Sequence, residues 1–399
     1  MVPELKLRQL RAALAVAQTG SALRAAGEVK LSAPAVLGAL STLEATLGTV
    51  LFDRTSRGMV PNPVGSLFCR RIESALAHLR AAEDEIAPHR RFAGRVSHVH
   101  LRALLMLLET DGFSTAARRL GLSQPALHRT ARELEALVGC TLWRRQGRLI
   151  QPTPEAMRLG HRAGLLLSEL RMGLDEIGEL AGRMTGRLSA GALPLARSRW
   201  LPHALALTLA RYPMADVSIM DGPYEEQLDA LLRGRLDVIL GALRLPTPSP
   251  DIVQEPLFED SLSIVVRAGH PLAPGFDSAR DKLTPAQLAG LSWILPPRGT
   301  PARDNFTAFM AAKGLAPPPR AVDCNSQVAV CALLLETDHA AILSARQVEY
   351  ELAQGRLKIM GPPLTGSAQP VGITTRAGFR PTRLCAEFLD TLRAVARGL

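Results

Sequence analysis

Gln124, His128, Arg129 and Arg132 recur at helical intervals in LSQPALHRTARELEALVG (122–139), and Leu127, Leu134 and Leu137 mark the opposite side of the stretch. Glutamine can pair twice with an adenine edge and arginine twice with a guanine edge, so this row suits the reading of base pairs in a major groove. Ser123 is placed to cap the helix and Pro125 to fill its first turn. Further on, LWRRQGR (142–148) offers Arg144, Arg145 and Arg148 in a strand, turn and strand that end at Thr153 and Pro154. Arginines there would lie along phosphates, adding affinity without sequence information.

Other elements must hold that row in place. Leu101, Leu104, Leu105 and Leu108 form the apolar stripe of a preceding helix, and Ser114 precedes a short helix carrying Ala116, Ala117 and Leu120. With Gly121 as the tight turn, the set reads as a helix-turn-helix followed by a basic wing. The chain also repeats this module. LSAPAVLGALSTLEATLG (31–48) shares Leu-Ser, Pro-Ala, Leu-Glu-Ala and the closing Gly with 122–139, and the same register pairs Arg54 with Arg145 and Pro61 with Pro152. In this first copy Ala33, Leu37 and Gly38 replace Gln124, His128 and Arg129. Ala and Leu offer at most contact with a thymine methyl, and Gly38 weakens its helix by up to about 1 kcal/mol. Arg54 and Arg57 keep phosphate contact open for the first copy. The alternative is a remnant that packs on a neighbour through Ala33, Val36 and Leu37.

FSTAARRLGLSQPALHRTARELEALVGCTLWRR (113–145) resembles the amino-terminal winged helix-turn-helix of LysR-type transcriptional regulators, and TGSALRAAGEVKLSAPAVLGALSTLEATLGTVLFDRTSRG (19–58) resembles the same module again. The A-A-x-x-L, L-S-Q-P-A-L, L-E-x-x-x-G and L-x-x-R elements stand together at that family's spacing. The resemblance implies binding to double-stranded operator DNA, as a homo-oligomer (dimer or tetramer), under control of a small-molecule effector. It also implies that the leucine-striped stretches Ser66 to Ile86 and Glu155 to Leu180 are linker helices, which in the family pair antiparallel with a twin from a second subunit. A second module departs from the family's pattern. If the two linkers of one chain pair with each other, the end of the first lies beside the start of the second, and the connection Pro88 to Ser97, about 35 Å at full stretch, suffices. One chain would then mimic half of the family's assembly, with one reading head and one blunt head.

From Arg187 the pattern changes to short apolar strands alternating with helices, which indicates α/β structure. Strands are expected at 188–193, 216–220 and 237–243, with helices at 200–211 and 224–233. A second series follows at 292–295, 302–313, 321–324, 327–335 and 340–343, and strands at 261–267 and 369–375 fall where the chain crosses between two lobes. This arrangement resembles the type-two periplasmic-binding-protein fold of LysR effector domains. GALPLARSRWLP, DGPYEEQLDALLRGRLDVILGAL and VQEPLFEDSLSIVVRAGHPLA are similar to the branch that includes the galactose-binding-protein regulator. The expected fold is therefore multidomain. Two mostly α winged helix-turn-helix modules (5–65, degenerate, and 98–155, DNA-reading) alternate with linkers (66–97 and 156–186). An α/β two-lobed effector domain (187–399) follows, with lobe I at about 187–265 and 376–399 and lobe II at about 269–368.

Ligands of open α/β sheets sit beyond the carboxyl ends of strands, against helix amino termini. That rule selects Arg197, Ser198, Arg298, Thr300 and Ser326 as donors, with Leu195 and Gly241 as walls. Hydroxyls and guanidinium groups suit a sugar or an organic acid. Each Ser or Thr also serves as a helix cap, and both arginines as solvated charges.

The rest of the sequence narrows the class. A formal charge of +10 over 399 residues favours a polyanionic partner. Five scattered cysteines without a C-x-x-C pair leave no thiolate metal site, and no metal or cofactor is expected. Charged residues near the start and the lack of a long apolar run lead to an expectation of a cytoplasmic protein with no membrane partner. No G-x-S-x-G, Walker-type or dinucleotide-binding motif stands out, so no catalytic residues are expected. The competing class is a cytoplasmic small-molecule-binding protein or enzyme whose amino-terminal modules serve only protein–protein assembly.

Overall fold

The computed structural model describes residues 5–56, 58–146, 149–183 and 185–398. Arg57 and Arg148, two of the expected phosphate contacts, lie outside the described residues.

The amino-terminal half is one module built twice. The first comprises α1 (Leu7–Thr19), α2 (Ala22–Val29), α3 (Ala33–Leu47), β1 (Phe52–Thr55) and β2 (Gly58–Pro61), and runs into the long helix α4 (Pro63–Ile86). The second comprises α5 (His98–Leu108), α6 (Phe113–Leu120), α7 (Gln124–Val138), β3 (Trp143–Gln146) and β4 (Leu149–Pro152), and runs into α8 (Pro154–Leu180). Shared residues produce shared joints. Ser32 and Ser123 accept the amides of Ala35 and Ala126, each helix carries proline in its first turn, and Gly48 and Gly139 end them in left-handed conformation. Glu44 accepts the amides of Leu51 and Phe52, and Glu135 those of Leu142 and Trp143, so a carboxylate on each helix anchors its wing. Ser114, expected to precede the short helix, lies inside α6. That helix starts at Phe113 after Gly112, whose φ of 115° makes the turn, and has no side-chain cap.

The helices α4 and α8 lie antiparallel within the one chain. Phe68 packs against Gly173, where an added Cβ would come within 2.9 Å of the ring, while toward the other end Glu85 pairs with Arg162. Phe68, Ile72, Leu76 and Leu79 share one buried cluster with Leu159, Leu166, Leu170 and Ile177, and the cluster continues into both modules through Leu40 and Leu134. Arg71 sits in the seam. Its Nε donates to Glu176 at 3.0 Å, its Nη1 to Glu169 at 2.9 Å and its Nη2 to the Arg380 carbonyl at 2.9 Å. The connection folds back, with the Ala93 amide on Glu83, and Arg11 of α1 donates to the Ala93 and Val96 carbonyls.

The carboxy-terminal half has two five-stranded sheets. The elements of the first run β5 (Thr185–Ala192), α9 (Pro194–Arg197), α10 (Trp200–Arg211), β6 (Met214–Asp221), α11 (Tyr224–Leu232), β7 (Val238–Ala242) and β8 (Ile252–Asp260). Those of the second run β9 (Leu262–Arg267), α12 (Pro285–Gly290), β10 (Ser292–Leu295), α13 (Pro301–Ala312), β11 (Val322–Asp323), α14 (Gln327–Glu336), β12 (His339–Ser344), α15 (Glu349–Ala353) and β13 (Leu357–Ile359). The chain then returns through β14 (Gln369–Arg376) and α16 (Arg383–Ala396). The sheet orders are β6-β5-β7-β14-β8 and β11-β10-β12-β9-β13.

Two expected boundaries shift. Residues 262–265, placed in lobe I from sequence, belong to β9, which pairs with β12 and β13 in the second sheet. Residues 369–375 belong to β14, which pairs with β7 and β8 in the first, so the return crossing precedes 369. Both strands are apolar in sequence and carry no sign of which sheet they join.

The linker α8 docks on the first lobe. At Gly164 an added Cβ would lie 2.3 Å from the Arg233 carbonyl, so the helix and the turn after α11 meet backbone to backbone. Arg171 donates to Asp237 at 3.0 Å, and Asp237 accepts the Ser189 amide at 2.8 Å. Asp175, on the same face, has a buried Oδ2 with no hydrogen-bond partner among the described residues. Burial pushes its carboxyl up to about 6, against the attraction of Arg171. A folded carboxyl that protonates more readily than the unfolded one costs stability when charged, a cost absent below about pH 4 and complete above about pH 6. Asp175→Asn should therefore melt with the wild type near pH 4 and at higher temperature above pH 6. A difference independent of pH in a melting series would contradict this account of Asp175.

Candidate DNA-reading and effector sites

The helix α7 buries Leu127, Ala131, Leu134 and Val138 and leaves Ser123, Gln124, Pro125, Arg129 and Arg132 exposed. Arg144 and Arg145 are exposed on β3. These seven expected residues thus stand on one solvent-facing combination of helix and wing.

Two expected residues are placed otherwise. His128 is half-buried, and its ring stacks on Phe113 at 3.9 Å between centroids and 2° from parallel, so its face is committed to packing α7 on α6. Thr153 is 2% exposed, caps α8 by accepting the Ala156 amide, and donates to the Thr141 carbonyl. A buried hydroxyl already satisfied in both roles has nothing left for a phosphate. Sequence reasoning missed Phe113 and Trp143, whose rings meet edge to face at 6.2 Å and complete the stack that sets helix against wing. In the first copy Ala22, Leu37 and Phe52 occupy the three matching positions.

The first module presents a different face. On α3, Pro34, Leu37, Gly38 and Ser41 are exposed, with Leu37 at 39%, and Arg54 is exposed on β1. Val36, expected with Ala33 and Leu37 to pack on a neighbour, is buried in its own module's core because it follows the same inward stripe as Leu40 and Leu43.

In the lobes, the expected ligand residues fall at the carboxyl ends of parallel strands. Strands β5 and β6 are parallel neighbours, and Arg197 after the first pairs with Asp221 at the end of the second while donating Nε to the Ala192 carbonyl. In the second lobe Thr300 and Ser326 follow the parallel strands β10 and β11. Both cap helices, Thr300 on the Arg303 amide and Ser326 on the Ala329 amide, and Thr300 also donates to the Pro297 carbonyl at 2.8 Å. Arg298 is exposed, Leu195 packs on the first lobe's core, and Gly241 is buried with φ 137°, where a Cβ would strike Leu193. Ser198 makes contact across the lobes, accepting from Gln327 of α14 at 3.0 Å, and Arg199 pairs with Glu349 beside it.

Buried polar residues that sequence did not single out tie these loops. Gln227, wholly buried, donates to the Ala192 and Gly222 carbonyls at the ends of β5 and β6. Arg303, 9% exposed, donates to the Pro296 carbonyl at 3.0 Å and to Asp323 at 2.6 Å, at the ends of β10 and β11. At the crossing between lobes Arg346 pairs with Asp260 and stacks over Phe258, while burial raises the Asp260 carboxyl. Gln227 and Ala192, Arg303 and Asp323, and Arg346 and Asp260 are far apart in sequence, so composition and spacing carry no trace of these links.

An exposed reading helix and wing, tethered by a linker helix to two lobes hinged by crossing strands, define a DNA-binding regulator with a ligand-sensing domain. The chain belongs to the LysR family of bacterial regulators. The model described as bacterial regulatory helix-turn-helix protein, lysR family, matches twice, at 7–66 and 98–157, and that of the LysR substrate binding domain matches 181–397. The chain is 32% identical to the HTH-type transcriptional regulator GalR of Pseudomonas putida over 394 residues, 98% of this chain and 97% of that one. It is 29% identical to the regulator PcaQ of Agrobacterium fabrum over 76% of this chain and 96% of PcaQ. The GalR match runs through both helix-turn-helix modules, whereas the PcaQ match leaves about a quarter of this chain uncovered. The regulator GbpR of Rhizobium radiobacter is 28% identical over 64% of the chain. A full-length OxyR variant from Pseudomonas aeruginosa superposes with a TM-score of 0.53 at 23% identity, covering 75% of this chain and 95% of that one. CbnR, a LysR family transcriptional regulator, superposes with a TM-score of 0.51 at 23% identity, covering 75% and 98%. At those identities the likeness is one of fold.

Replacing Gln124 and Arg129 together by Ala should raise the dissociation constant for operator DNA by at least about 30-fold while leaving non-specific binding nearly unchanged, since each of the two paired base contacts is worth about 1–3 kcal/mol. Fluorescence anisotropy with operator and scrambled duplexes checks it. Equal loss on both duplexes would assign the two side chains to the backbone instead.

Proposed function

We propose that each chain contributes one sequence-reading head, and that the first module assists assembly and phosphate contact without reading bases. The observation that carries this is the contrast between matched helices. α7 exposes Gln124, Arg129 and Arg132 where α3 exposes or half-exposes Ala33, Gly38 and Ser41. Ser123 and Pro125 set the start of the reading helix, Arg144, Arg145 and Arg148 grip phosphates, and Arg54 and Arg57 do so for the blunt module. His128 acts by stacking on Phe113, which fixes the tilt of α7.

The effector site lies between the lobes, at Leu195, Arg197, Ser198, Gly241, Arg298, Thr300 and Ser326, with a sugar or an organic acid as ligand. The Ser198 to Gln327 bond and the Arg199 to Glu349 pair are the closures such a ligand would strengthen or break. The protein acts in the cytoplasm without catalysing a reaction, and among the described residues no helix is long and apolar enough to cross a membrane. Because the linkers satisfy one another inside the chain, chains associate through their effector domains.

Hydroxyl-radical footprinting of the operator, with the number of bound chains measured in parallel, tests this. Two chains should protect two major-groove segments at base edges, with extra backbone protection beside them. Four equivalent base-level footprints from two chains would overturn the assignment of a blunt head.

A further inference from the structure

A cavity of about 350 Å³ lies between the linker pair and the first lobe, apart from the reading heads and from the cleft between lobes. His78 of α4, Arg162 and Leu165 of α8, and Leu232, Arg376 and Phe379 of the lobe line it. The volume is that of a small-molecule site.

Its electrostatics favour an anion. Arg376 is 8% exposed, and its Nη1 donates to the Leu231 and Leu236 carbonyls at the end of α11. Its guanidinium lies 4.7 Å from the centre of the Phe379 ring. Among the described residues no carboxylate lies within ion-pair distance of it, Asp237 and Glu169 attract it only from farther off, and Nε and Nη2 make no hydrogen bond. Of the carboxylates on the wall, Glu85 is paired with Arg162, and Glu169 shares the Arg71 guanidinium with Glu176. The third, Asp251, is exposed. Burial, with the charges of Arg162 and Arg376, pushes His78 down to about 4, so at neutral pH its ring is uncharged and still offers an N–H.

We propose that this cavity is a second ligand site, for a small organic carboxylate. The planar carboxylate meets the open side of the Arg376 guanidinium and the His78 ring. The carbon body lies on Leu165 and Leu232. Inorganic phosphate would satisfy the guanidinium and leave those side chains facing water. The occupant would touch both linker helices and β14, the strand by which the chain re-enters the first lobe. A ligand there ties the linker pair, and with it the reading head, to the sensing domain, and shifts their relative placement by its preference for one arrangement.

Calorimetry on the full chain with cyclohexanecarboxylate and inorganic phosphate as probes tests the proposal. Cyclohexanecarboxylate should bind at millimolar concentration or below, and phosphate at least tenfold more weakly. Arg298→Ala with Ser326→Ala, in the cleft between lobes, should leave the cavity site intact. Leu165→Trp, which fills the cavity, should weaken it at least tenfold, as should Arg376→Gln. Because Arg376→Gln also strips two carbonyls of their donor, Leu165→Trp decides, with its melting curve confirming a folded chain. The proposal is overturned if cyclohexanecarboxylate does not bind, if binding survives Leu165→Trp, if it disappears only in the cleft variant, or if phosphate binds as tightly.

Discussion

Arg71 holds the seam on which the molecule's amino-terminal half depends. One guanidinium from α4 meets two carboxylates of α8 and a carbonyl of the effector domain, and its side chain is 6% exposed. Taking such groups from water is expensive, and the attraction repays the cost only when every partner is present. Removing Arg71 would leave Glu169 and Glu176 charged at the edge of an apolar seam, a loss of about 3–5 kcal/mol. The apolar contacts of Phe68, Leu76 and Leu79 supply the area, and the ion triad specifies which register of two leucine-striped helices forms. With that register set, α4 begins where α8 ends, and the two modules hang from opposite ends of one helix pair.

That geometry accounts for a duplicated module whose outer helix face lacks the polar row of the second. A linker helix alone exposes an apolar stripe and needs a twin. This chain carries the twin, and the twin brings its own helix-turn-helix with it. The packing of the first module through Val36, Leu40 and Leu43 and the Glu44 anchor of its wing match the second copy in role. Its outer face carries Ala33, Leu37 and Gly38 where the second copy has Gln124, His128 and Arg129. Beyond the Arg71 bond to the Arg380 carbonyl, the coupling to the sensing domain runs mainly through α8. There Gly164 meets the turn after α11, and Arg171 reaches Asp237, which in turn holds the start of the first sheet.

Much of this was legible in the sequence, and the reason is local. Caps, turns and apolar stripes obey short-range rules, so Ser123, Gly121 and the alternation after Arg187 placed their elements correctly, and most strands of the lobes lie within a few residues of their expected positions. The antiparallel pair followed from the family resemblance of the two leucine-striped stretches, with a ten-residue connection long enough to allow it within one chain. The failures are long-range. Thr153 reads as a wing hydroxyl until the fold buries it against Thr141. His128 reads as an outer polar residue until Phe113 arrives beneath it. Gln227 and Arg303 join strand ends that only the sheet order brings together, and the swap of β9 and β14 between sheets leaves no mark in either strand's composition.

The direct measurement is of which chain each linker pairs with. In a background with the native cysteines replaced, Glu85→Cys with Arg162→Cys puts two thiols where α4 and α8 face each other, within reach of a short bismaleimide. The full-length protein, crosslinked at low concentration and separated under denaturing conditions, should run at the mass of one chain with its mobility altered by the internal link. A product at the mass of two chains, rising with protein concentration, would show that the linkers pair between subunits and would contradict the account.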